Sequence, residues 1–139
     1  MDPNGQASLL VTLSTTGRHS LRASFAGIAP FTDSTSAVLV DTVSKDATTT
    51  TAFARLVGNG PEAGISATVA PNAPGSGVPT GTVTFFDGTR ELGTAQLSDG
   101  TAYLIVSSLT KGKHTITASY SGDGDFVASV SAPFVFTVP

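Results

Sequence analysis

The chain has 139 residues, a net charge of −3, 12% charged and 40% apolar residues, and no cysteine. The missing thiols exclude a disulfide framework, a thiolate zinc site and a cysteine nucleophile, and the scattered Lys and Arg form no basic stripe of the kind nucleic acid needs. Charge is too sparse for a disordered polyelectrolyte tail, and the apolar share suffices for a core.

The start, MDPNGQAS, lacks a basic n-region, and the apolar run after it is too short for a signal-peptide core. No run of residues is long and apolar enough to span a membrane, so no membrane insertion is expected. If the parent protein is exported, its address is expected outside this chain.

Asn4-Gly5 is a hairpin signal, because both residues tolerate positive φ. Ala7, Leu9 and Val11 then alternate as one face of a strand. Leu13 to Gly17 reads as a corner. His19, Leu21, Ala23 and Phe25 form the inward face of the next strand. A last strand, about Ser36 to Val43, turns Leu39, Asp41 and Val43 inward. An unpartnered buried carboxylate costs several kcal/mol, so Asp41 implies that the face is open or that the strand has slipped.

Ser44-Lys45-Asp46 is a polar joint, short enough to restrict the angles between neighbours. Beyond it TTTTAFARL reads as a first strand, and Asn59-Gly60-Pro61 as a turn. The Thr run could carry glycans in some hosts, but an edge strand is the preferred reading. Ile65, Ala67 and Val69 face inward on a second strand, Pro71 to Pro79 is a loop, and Val83 and Phe85 face inward on a third. Asp87-Gly88 and Asp99-Gly100 are primed-turn signals. Between them lies a weaker strand with Leu92, Ala95 and Leu97, broken by Gly93. Ala102, Leu104 and Val106 follow, then a corner at Leu109 to Gly112. His114, Ile116, Ala118 and Tyr120 face inward, Gly122 to Asp125 is a tight loop, and Phe134, Phe136 and Val138 close the unit.

The closing text has been met before. Residues 100–138 align with 5–43 without insertion: His114 and His19, Gly112 and Gly17, and Phe126 and Phe31 are each 95 apart, and about sixteen of some forty positions are identical. This is an internal repeat whose first copy keeps only its last part. The expected organisation is a partial repeat over 1–43 (the last three strands), a linker at 44–47 and a complete domain over 48–139. Met1 followed by half a repeat reads as the start of a gene fragment. Seven short strands with turns every eight to twelve residues imply an all-β, immunoglobulin-like antiparallel sandwich, preceded by the C-terminal half of a second copy.

The order Pro79-Thr80-Gly81-Thr82-Val83-Thr84-Phe85, Asp87-Gly88, Leu92-Gly93, Gly100-Thr101-Ala102, Ser108-Leu109, Gly112-Lys113-His114-Thr115-Ile116-Thr117-Ala118, Tyr120-Ser121-Gly122-Asp123 and Phe126 resembles the bacterial Ig-like repeat of large secreted and surface proteins. The resemblance covers about Thr48 to Val138, and residues 5–43 match its second half. It implies a non-catalytic structural module at the cell surface or outside the cell, with neighbouring Ig-like repeats as partners. The first copy departs from it at Gly27 to Phe31 and at Asp41.

Little chemistry is expected. His114 and His19 each open an inward-facing strand two residues after a corner glycine. That resembles the site of a sandwich fold's corner tyrosine, so a ring nitrogen bonding upstream backbone is expected rather than a catalytic base. Asp123-Gly124-Asp125 resembles part of a calcium loop but lacks the companions calcium needs, so neither metal nor cofactor is expected. Gly75-Ser76-Gly77 lacks the context of a nucleophile elbow. Tyr103 and Phe86 are expected to face outward as a small aromatic patch. The alternative function is ligand recognition, of glycan or protein, through loops 71–79 and 122–125 or a sheet edge. The partial repeat leaves Leu9, Leu21 and Phe25 without an opposing sheet. It is expected to lean on the complete domain, self-associate with another chain, or stay partly disordered.

Overall fold

A computed structural model describes residues 4–58, 61–107 and 109–139. Asn59 and Gly60 of the expected turn, and Ser108, lie outside the described residues. All twelve elements among the described residues are strands. The chain divides into two compact units, Met1–Ser44 and Lys45–Pro139.

The second unit contains β5 (Thr48–Leu56), β6 (Ala63–Pro71), β7 (Thr82–Asp87), β8 (Arg90–Gln96), β9 (Thr101–Val106), β10 (Gly112–Tyr120), β11 (Ser129–Val130) and β12 (Phe134–Val138). One sheet has the order β5-β6-β9. In the other, β8, β7 and β10 run side by side, and β10 pairs at its far edge with both β11 and β12. All these pairs are antiparallel. The closing strand expected at Phe134, Phe136 and Val138 is β12; the two-residue β11 before it was not expected, and between the two Ser131 Oγ accepts from Ala118 N at 3.0 Å.

Period-2 alternation places the core. Ile65, Ala67 and Val69 are buried on one sheet, and Val83, Phe85, Ile116, Ala118 and Tyr120 on the other. Burying such side chains supplies most of the driving force, at roughly 1.5–3 kcal/mol for each Val, Ile or Phe and less for each Ala. Gly93 shows why its strand reads weakly: its backbone has φ +148°, and a Cβ there would stand 3.2 Å from Leu104 of the opposite sheet. The gap it leaves lets the two sheets close.

The first unit contains β1 (Gly17–Leu21), β2 (Ser24–Phe25), β3 (Ser34–Thr35) and β4 (Leu39–Val43), paired β1 with β4 and β2 with β3. His19, Leu21 and Phe25 are half-buried, whereas Ala23 is exposed. The strand expected around Ala7, Leu9 and Val11 is not formed; Leu9 and Leu10 are exposed. The matching stretch of the second copy, β9, is held by its ladder to β6. Among the described residues of the first unit no strand ladder includes 7–11, and alternation without a ladder does not make a strand. Asp41 resolves the choice posed by its sequence. The register His19↔Asp41 matches His114↔Phe136, so the strand has not slipped. Asp41 and Leu39 are exposed instead of inward, and only Val43 is half-buried.

Candidate functional site

Among the described residues of Lys45–Pro139, three gatherings of polar side chains bear on function. The first is His114, 6% exposed, at the start of β10. Its Nε2 lies 2.8 Å from Thr110 O, and its Nδ1 lies 2.6 Å from Asp87 Oδ2. Asp87 Oδ1 accepts from Thr115 N at 3.0 Å. The histidine therefore bonds upstream backbone and also staples β10 to the end of β7. Sequence reasoning read Asp87 only as a turn residue and missed it as the partner of His114.

Two acceptors facing one ring require hydrogen on both nitrogens, which is the imidazolium form. The Asp87 hydrogen bond first, and the Thr110 carbonyl second, raise the His114 pKa against the opposing pull of burial and of Arg90. A raised folded-state pKa gives stability that is full below the unfolded value, about 6.5, and is lost as pH rises through the folded value. Replacing His114 with Ala should therefore cost about 1–3 kcal/mol in acid solution and less in alkaline solution. Urea melts of both proteins across that range test the sign, and a penalty that grows with pH would refute it.

The second place is the 122–126 loop. Asp123 Oδ2 accepts from Thr80 N at 2.8 Å and Thr80 Oγ1 at 2.7 Å, while Oδ1 accepts from Asp125 N at 2.9 Å and Phe126 N at 2.8 Å. Both oxygens thus hold protein donors. Asp125 is exposed, and its carbonyl accepts from Asp46 N at 2.8 Å. Among the described residues no three His, Asp, Glu or Cys side chains gather as a metal-holding group. Tyr120 lies beside this loop with its hydroxyl buried and without an acceptor of good geometry. Burial first, and the nearby Asp123 carboxylate second, push its pKa up to about 12. An unsatisfied buried hydroxyl stabilises nothing, and the first copy carries Phe25 at the matching position. Tyr120→Phe should leave stability unchanged or raise it by up to about 1 kcal/mol; thermal melting checks this, and a clear loss would show a bond that the geometry does not contain.

The third place is a threonine row. Thr48 Oγ1 and Thr50 Oγ1 each lie 2.7 Å from Ser129 Oγ, tying β5 across to β11. Thr49 and Thr51, on the other face, are exposed. A groove of about 420 Å³ runs alongside, lined in part by Thr50, Ala52, Val130 and Phe134.

The aromatic patch expected from Tyr103 and Phe86 does not form. Tyr103 is on β9 and half-buried Phe86 is on β7, in different sheets, so their outward faces point to opposite sides. Tyr103 instead lies over Gly64, and Phe53 sits in the same row across Ser66. In the first unit, His19 Nε2 lies 2.6 Å from Thr15 O, repeating the contact of His114.

Comparison with curated proteins and with solved structures gives no match. The profile described as Bacterial Ig-like domain (group 3) matches residues 45–139. That stretch holds both sheets, the His114 staple and the Asp123 loop, and on this match the chain belongs to the bacterial Ig-like domain family, group 3.

Proposed function

We propose that this chain is a structural spacer from an exported bacterial protein, a stiff bead in a tandem array that holds other domains away from a surface. The family is generally non-catalytic and typical of exported proteins, and no helix among the described residues is long and apolar enough to cross a membrane. One observation carries the reading: the entry to the complete domain is bonded into its loops. Lys45 Nζ donates to Asp123 O, Asp46 N donates to Asp125 O, and Val127 N donates to Asp46 O. Lys45 and Asp46 are thereby held as part of the bead they enter, not as free linker. Small-angle scattering on proteins with two and four copies of residues 45–139 tests it. The maximum dimension should grow in proportion to copy number. A compact particle, or one scaling as a flexible chain, would refute the spacer reading.

A second reading, ligand recognition, is favoured by the outer face of the three-stranded sheet, where Tyr103 and Ile105 are 50% and 52% exposed. Of the loops in this reading, 122–125 is already tied down by Asp123, which leaves 71–79 and the sheet edges. Saturable binding in a glycan and cell-extract screen, lost on Tyr103→Ala, would promote it.

A further inference from the structure

Residues 17–43 repeat residues 112–138 pair for pair. Gly17↔Val43 through Leu21↔Leu39 lie 95 residues before Gly112↔Val138 through Ile116↔Phe134. Ser24↔Thr35 and Phe25↔Ser34 lie 95 before Ser119↔Val130 and Tyr120↔Ser129. The side-chain latch repeats as well: Ala23 N donates to Ser36 Oγ at 3.1 Å, as Ala118 N does to Ser131 Oγ at 3.0 Å.

The two copies differ in cover. Phe126 is 5% exposed and Phe31 is 70% exposed. Tyr120 and Ile116 are fully buried, whereas their counterparts Phe25 and Leu21 are half-buried. Two open grooves, of about 470 and 380 Å³, meet at Phe25 and Ser34.

The second copy shows what such a face takes. On Ser129, the counterpart of Ser34, sit Thr48 and Thr50 of β5. On Nδ1 of His114, the counterpart of His19, sits the carboxylate of Asp87, which ends β7 before Gly88. Beside β9, the counterpart of residues 6–11, lies β6. We propose that the face of residues 7–43 is a docking seat for a polypeptide segment that carries the first-half strands of an Ig-like repeat. A Thr-x-Thr strand fills the Phe25–Ser34 groove. A strand ending in Asp-Gly brings its carboxylate to His19. A third strand pairs with residues 7–11. The first unit itself contains neither Thr-x-Thr nor Asp-Gly, so two such faces meeting each other cannot supply these contacts. The proposal rests on register and exposure and stands apart from the spacer reading.

The test titrates the full chain with a separately made polypeptide of residues 45–99, which carries β5 to β8. Mass by sedimentation and residue-level amide exchange are read. The expected result is a saturable one-to-one complex, with new amide protection at residues 7–11 and 17–43 and none gained at 112–138. Phe31→Asp, at a position too exposed to matter for folding, should weaken binding at least tenfold, as should Phe25→Asp. The proposal is overturned by the absence of a complex, by binding that both variants leave intact, or by protection changes confined to 112–138. Self-association of the chain alone that Phe31→Asp abolishes also overturns it.

Discussion

Phe85→Ala is expected to lower the unfolding free energy of the Lys45–Pro139 unit by about 3–5 kcal/mol, a large share of what a domain of this size has to spare. Phe85 is fully buried in the middle of β7. Its neighbours on the adjacent strands are Ala118 and Gly93. The ring fills space that two small residues leave open, and neither can grow into the hole when the ring is removed. Leu104 from the opposite sheet already packs on Gly93. Partial collapse is the least favourable case in cavity-forming substitutions, so the cost falls high in its range. Phe53 supplies the control. It is 52% exposed and touches Phe134 with ring centroids 5.2 Å apart, so Phe53→Ala should cost about 1 kcal/mol. Urea denaturation followed by circular dichroism measures both. A Phe85→Ala cost no greater than that of Phe53→Ala would mean that the two sheets do not enclose a shared core.

This contrast marks what the alternation of residue types conveys. Parity along a strand tells which side chains leave the water, and for His114, Ile116, Ala118 and Tyr120 it did so residue by residue. Parity does not tell which sheet a strand joins. That is why Tyr103 and Phe86 read as one patch and lie on different sheets. Nor does it supply a partner: Ala7, Leu9 and Val11 alternate as well as their counterparts in β9, yet form no strand without a neighbour to bond. The polar contacts were the least legible. His114 meets Asp87 across 27 positions, and Asp123 meets Thr80 across 43. Each pair is set by strand order, which local spacing does not encode. An Asp before or after Gly has a sufficient local reason as a turn residue, and this concealed its long-range role.

Asp123→Ala is the second large effect, expected at about 2–4 kcal/mol near neutral pH because hydrogen bonds to a charged group are the costly ones to lose. Its carboxylate is the common acceptor for two groups of Thr80 and for the amides of Asp125 and Phe126. Removing it releases the stretch leading into β7 from the loop that follows β10. Burial alone would raise the Asp123 pKa, but the hydrogen bonds, those of Thr80 foremost, hold it well below the usual carboxylate range. A depressed folded-state pKa gives stability that is full above the unfolded value, about 3.9, and is lost as pH falls toward the folded one. The gap between wild type and Asp123→Ala should therefore be widest above about pH 5 and narrow steadily in acid, opposite in direction to the His114 effect. Asp125 contributes its backbone and not its carboxylate to the same loop, so Asp125→Ala should stay within about 0.5 kcal/mol. Denaturant melts of the three proteins at neutral and acid pH separate the cases. A gap for Asp123→Ala that does not change with pH would show that the loop is held by shape, and that the charge on Asp123 is incidental to it.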